Sequence, residues 1–257
     1  MNILDSYERS ARVYPIVIVG IVPFCSILFL FEWSLKDFVS VVPLGAVVAF
    51  ISFLAIFVRN KGKAEELVLY KKWGGKPTTL LLLRPSKEFN KISLQIIREE
   101  MEKICSGVKF PSQEAMDKDV QSSCDMCDSA IMQLREKTRD TKKFDLLFKE
   151  NKFYGFCRNL YGIRFYGILL HLCVAFFVVF SCLYRDSQNC SIAYAIATLN
   201  VLFAVILYVI VNETFVKSAA FAYAKQLLAS CNSTHFIKYK TTTEFPKKST
   251  VVKRKQN

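Results

Sequence analysis

The chain has 257 residues, 52% of them apolar and 14% aromatic, with a mean hydropathy of +0.25 and a formal net charge of +13. That composition excludes a wholly disordered chain and a small disulfide scaffold, and two histidines in the whole chain leave little room for His-based metal or nucleophile chemistry. In a water-soluble protein the +13 would point to nucleic acid; here it bears first on orientation in a membrane.

Four stretches, 13–31, 38–58, 165–183 and 192–211, contain no Asp, Glu, Lys or Arg. Each is close to the roughly 20 residues that a helix needs to cross a bilayer core. The fold class expected is an all-α membrane protein: four transmembrane helices in two hairpins, with a mainly helical cytoplasmic domain between them. The expected divisions are a cytoplasmic N-terminus (1–12), hairpin 1 (13–58), a cytoplasmic domain (59–164), hairpin 2 (165–211), a cytoplasmic helix and linker (212–246) and a basic disordered tail (247–257).

Four spans place both termini and the long central loop on one side, which then holds 33 of the 35 Lys and Arg; only Lys36 and Arg185 lie opposite. Cytoplasmic flanks retain cations, so both termini are expected in the cytoplasm. Arg9 and Arg12 before the first span resemble a signal n-region, but the apolar run is long and lacks an A-x-A cleavage pattern, so the span is read as retained.

In chain order, Tyr14, Tyr161 and Tyr166 at the inner boundary and Trp33 and Tyr184 at the outer one are interfacial anchors. Glu32 to Asp37 is the first outer turn. Small residues recur at helix-contact spacing, Gly45, Ala49 and Ser52 in span two and Ala193, Ala197 and Asn200 in span four, which allows bundling within or between chains. Span two runs on as a basic helix over 61–73 until Gly74 and Gly75 stop it. The run 78–83 suits a short strand or a buried helix. Helices are expected over 90–105 and 112–139, the former with Ile92, Ile96, Met101 and Ile104 on one face.

The string Trp73-Gly-Gly-Lys-Pro-Thr-Thr79 combines glycine amides, a lysine and two hydroxyls, the ingredients of a phosphate nest. It is not a P-loop, because Tyr70 and Pro77 stand where that motif needs Gly and Ser/Thr. Gly74, Gly75, Lys76, Thr78 and Thr79, with Arg139, Arg158 and Asn159, are the expected ligand or partner surface; a helix stop followed by a proline turn explains the string equally well. Cys124 and Cys127 have zinc-knuckle spacing but no second pair, so no metal is expected, nor any cofactor. Glu65-Glu66 and Glu99-Glu100 alternate with lysines as solvated helix faces do.

From Asp140, an aromatic and basic amphipathic segment with Phe144, Leu147 and Phe148 leads into span three. It either lies on the inner membrane surface against anionic lipid or packs the cytoplasmic part against the bundle. Within the spans, His171 and Asn200 are the notable polar residues; each is either interhelical glue or part of a functional site. Cys182 and Cys190 either form a disulfide, in an oxidising outer compartment, or remain free thiols. After span four a stalk helix is expected to continue unbroken over 212–230, with Phe215, Ala219, Ala222, Tyr223 and Gln226 as a contact stripe.

The strings WGGKPTT (73–79) and TRDTKKFDLLFKENKFYGFCRNLYGIR (138–164), with the four-span layout, resemble a family of uncharacterised bacterial membrane proteins. Paired hairpins around a cytoplasmic sensing domain are similar to membrane effectors of anti-phage defence, a likeness at fold level. The function expected is non-enzymatic: self-association as a homo-oligomer, and perturbation or permeabilisation of membrane lipid when a nucleotide, nucleic acid or protein triggers the basic cytoplasmic domain. The alternative is a membrane scaffold that anchors a cytoplasmic partner protein.

Overall fold

A computed structural model describes residues 5–31, 43–185 and 190–233. The expected turn at Glu32 to Asp37, His235 and the basic tail from Lys247 lie outside the described residues. Among the described residues all regular structure is helical. Four helices are long and apolar enough to cross a membrane: α1 (Ser6–Leu30), the helix beginning at Leu44, the one beginning at Asp145, and Cys190–Ile210. The full set continues with α2 (Leu44–Trp73), α3 (Pro77–Leu83), α4 (Lys91–Ile104), α5 (Gln113–Lys118), α6 (Val120–Lys137), α7 (Asp145–Arg185), α8 (Cys190–Ile210) and α9 (Glu213–Ala229). The chain forms two compact units, residues 1–77 with 146–224, and 78–145 with 225–257.

The first unit is built on α7. Its 41 residues correspond to about 61 Å at 1.5 Å per residue, about twice a hydrocarbon core of ~30 Å. The amphipathic segment before span three is therefore a straight continuation of that span, with Tyr154, Cys157, Leu160 and Tyr161 buried, and it does not lie flat as a separate surface helix. Three glycines along α7 allow its neighbours to approach. A Cβ on Gly155 would stand 3.0 Å from Ala11 of α1, one on Gly162 would stand 2.6 Å from the backbone nitrogen of Gly62 in α2, and one on Gly167 would stand 2.8 Å from Val19 of α1 and 3.1 Å from Leu207 of α8. Close backbone approach of this kind is what holds helices together where lipid is as apolar as the side chains. Val19, Val58, Leu160, Leu207 and Val211 fill the core around these crossings. Farther along, Val174, Ala175 and Val178 pack on Ala193 and Ala197, so the small-residue stripe of α8 faces its own bundle.

Two helix ends differ from expectation. The stalk is not continuous with span four: α8 ends at Ile210, and Asn212 accepts a hydrogen bond from the Phe215 amide (3.0 Å) to start α9. The Arg164 guanidinium donates to the Val211 carbonyl at that break (2.8 Å). Likewise the helix expected over 112–139 is two helices, because Asp119, at φ −124° and ψ 81°, leaves helical geometry and caps α6 by accepting from the Ser122 amide (3.1 Å).

In the second unit Leu82, Leu94, Met101, Met116, Cys127 and Leu134 of α3 to α6 are buried, as are Leu227 and Leu228. The stretch 78–83, undecided between strand and helix, is α3. Arg98 closes its end, donating to the carbonyls of Leu82 (2.8 Å) and Leu83 (2.8 Å), where helix carbonyls lack partners and a cation is favoured.

Candidate functional site

The most unusual chemistry lies in the apolar part of the first unit, where α1, α7 and α8 each contribute one buried polar side chain. Ser26 Oγ donates to the Val22 carbonyl (2.8 Å), Asn200 Nδ2 donates to Ser26 Oγ (2.8 Å) and to the Ile196 carbonyl (3.0 Å), and Asn200 Oδ1 meets His171 Nδ1 (3.0 Å). Asn200 and His171 are fully buried and Ser26 nearly so. The imidazole stacks on Phe203 at 5.7 Å, and its Nε2 has no hydrogen-bond partner. His171 and Asn200, chosen separately from the sequence, are thus brought together. Ser26 was missed, since one serine in an apolar run carries no signal of its own.

A second polar cluster lies beyond the apolar stretches of α2 and α7. Glu66 Oε1 accepts from Tyr154 (2.5 Å), Tyr70 (3.1 Å) and Arg158 (3.1 Å), and the two tyrosine hydroxyls are 3.0 Å apart. The Glu66 and Arg158 side chains are only 17% and 11% exposed, so this is a desolvated pair and Glu66 is not the solvated face expected. One residue on, Asn159 is fully buried and donates to the Ala11 carbonyl (2.7 Å). The reason lies in the sequence of α1: Pro15 has no N–H, so the Ala11 carbonyl loses its usual donor four residues on, and the chain passes through a π-helical turn at Arg9–Val13. Nearby, Glu213 accepts from Trp73 Nε1 (2.9 Å) and pairs with Lys72 (3.4 Å).

The residues expected to form a ligand or partner surface divide between the two units. The Gly74 and Gly75 amides donate to the carbonyls of Lys71 (3.3 Å) and Tyr70 (2.9 Å), with Gly74 at φ +84°; they close α2 and are not turned to an anion. Arg158 and Asn159 are consumed inside the α2–α7 packing. In the second unit Thr79 is buried and donates to Asp128 (2.5 Å), Thr78 is half-buried, and Arg139 is exposed beside Glu136 (3.3 Å). Lys76 is exposed.

The second unit also holds a cleft of about 590 Å³ lined by Pro85, Leu94, Arg98, Glu102, Phe110 and Gln113 among others, which the sequence does not disclose. Its polar groups are largely committed to the fold: Arg98 to α3 and Gln113 (3.1 Å), and Glu102 to the Phe110 amide (2.6 Å). Burial pulls the Arg98 guanidinium below its ordinary value. Cys127 is buried on α6 and burial pushes its thiol up to about 12, with Arg98 partly opposing. Cys124 is half-buried. No cluster of three metal-ligating side chains occurs among the described residues. Cys182 and Cys190 are joined as a disulfide, with Cα atoms 5.7 Å apart.

The positive charge expected of the central domain is unevenly placed. Residues 78–145 hold 12 Lys and Arg against 12 Asp and Glu and are neutral; residues 59–77 and 146–164 hold 10 against 3. The cations sit on the extensions of α2 and α7, next to the apolar segments. No protein-family model, curated protein or solved structure matches the chain.

Proposed function

We propose that the chain is a non-enzymatic, multi-pass protein of the bacterial inner membrane, threaded as two hairpins with both termini cytoplasmic, that self-associates and perturbs the bilayer when triggered. Its role would be of the kind played by membrane effectors of anti-phage defence. The observation that carries the reading is the bareness of α2. Only 11% of the most apolar window of that helix is covered by the rest of the chain, against 33% for α7. Leu44, Phe50 and Phe53 are 78%, 63% and 67% exposed, and nothing lies within 4 Å of where a Gly45 Cβ would stand. A helix with exposed small residues can exchange lipid contacts for contacts with a second copy. The four apolar stretches carry no charged residue, which favours a bundle that is closed at rest and rearranges on a signal.

The test uses a cysteine at Gly45 in a chain whose exposed Cys25 and Cys173 are replaced by alanine. Self-association predicts disulfide-linked dimers in native membranes, and the effector role predicts loss of membrane potential on induction with the trigger. A scaffold is the second reading, favoured by Ile92 and Ile96, one turn apart on α4 and 72% and 46% exposed, the sort of apolar pair a protein partner covers. Unchanged potential together with a cytoplasmic protein that copurifies, and is lost on Ile92→Glu, selects the scaffold.

A further inference from the structure

The hydrogen bonds around Asn200 determine which form of His171 the bundle holds. The Ile196 carbonyl can only accept, so the Asn200 atom 3.0 Å from it is the amide nitrogen. Ser26 gives its hydrogen to the Val22 carbonyl, so it too accepts from that nitrogen. Asn200 Oδ1 is thereby turned to His171 Nδ1, which must carry the ring hydrogen. In the neutral ring the lone pair is then at Nε2, a fully buried atom with no partner. Phe203 stacks against the ring, and one turn earlier Gly167 is pressed on Val19 and Leu207. The ring cannot turn to find a partner unless α7 separates from α1 and α8.

We propose that His171 Nε2 is a proton-binding site inside the membrane-spanning bundle, and that a proton taken there releases α7 from α1 and α8. One hydronium ion supplies the proton: an N–H bond forms at Nε2, one O–H bond of the hydronium breaks, water leaves, and the chain gains one positive charge. Among the described residues, Asn200 and Phe203 from α8 meet the ring and Ser26 from α1 stands behind Asn200, none of them charged, and no Asp, Glu, Lys or Arg occurs in any of the four apolar stretches. The new N–H therefore meets no acceptor and the new charge no counter-charge while the helices are closed. Once the helices part and water reaches the ring, water accepts from the N–H and solvates the charge.

The proposal names a trigger for the self-associating effector and to that extent rests on that reading, but its test does not use membrane leakage. His235→Gln leaves His171 as the single imidazole of the chain. Nitrogen-15 spectra of that variant in lipid nanodiscs are expected to show the Nδ1–H tautomer at about pH 8 and the imidazolium on acidification toward about pH 5, the range in which imidazoles titrate. Over the same range the thermal midpoint should fall by about 5 °C, and in His171→Gln it should not fall. An Nε2–H tautomer at neutral pH overturns the proposal, as does an imidazolium that forms with no change in midpoint, or the same acid profile in His171→Gln. If the titration is as expected but vesicles carrying the protein keep their dye on acidification, the effector reading fails and the proton site stands.

Discussion

A single asparagine illustrates how a residue's role is set far away in the chain. Read from the sequence, Asn159 is expected on a ligand surface; its partner is the Ala11 carbonyl, 148 residues earlier, orphaned by Pro15. Proline's missing N–H is legible in the sequence, but which side chain satisfies the freed carbonyl depends on the crossing of α1 and α7. Replacing Asn159 with alanine leaves a buried carbonyl unsatisfied, so a loss of about 1–3 kcal/mol is expected in the thermal or denaturant midpoint of the detergent-solubilised chain. Arg139→Ala, which removes an exposed pair with Glu136, should change the same midpoint by less than about 0.5 kcal/mol. The cysteines divide in the same way. Cys127, buried and with its thiol pushed up to about 12, should resist maleimide in the folded chain while Cys124, three residues away and half-buried, reacts; peptide mass mapping after brief labelling separates the two.

Among the elements, those with a strong period or a glycine stop were legible. The apolar stretches, the end of α2 at Gly74 and the start of α4 after Asn90, whose side chain accepts from the Ser93 amide (2.8 Å), follow directly from residue types. The breaks at Asp119 and Asn212 were not, because an Asp or Asn capping a helix and one on a helix surface are the same letter; only the local backbone angles and the capping bond tell them apart. The consequence is measurable. Asp119→Ala and Asn212→Ala should each cost about 1 kcal/mol, read as lower thermal midpoints of the full chain. Had either helix run through without a break, alanine would have been neutral or stabilising at that position, since it is the better interior residue. The candidate site follows the same rule: His171 and Asn200 are visible as rare polar letters in apolar runs, whereas Ser26 becomes visible only where α1, α7 and α8 meet and Glu66 only where α2 meets α7.

For the whole molecule, the distribution of charge decides which evidence for orientation has weight. Orientation is set by cations within about 15–20 residues of the spans, and distant charges in a long loop contribute little. The distant stretch 78–145 is therefore silent, and the signal is the 10 cations on residues 59–77 and 146–164. Reporters inserted at Gly107, an exposed loop glycine, and at Asn257 should occupy the same compartment, the cytoplasm. Exchanging Arg59, Lys61 and Lys63 for glutamine should produce a measurable fraction of chains with the first pair of spans inverted, whereas exchanging Lys87, Lys103 and Lys118 should produce none. Equal effects from the two sets would mean that the loop acts through its total charge. Reporters in opposite compartments would mean an odd number of crossings, and one of the four apolar helices would then have to be reassigned to the interior of the bundle or to its surface.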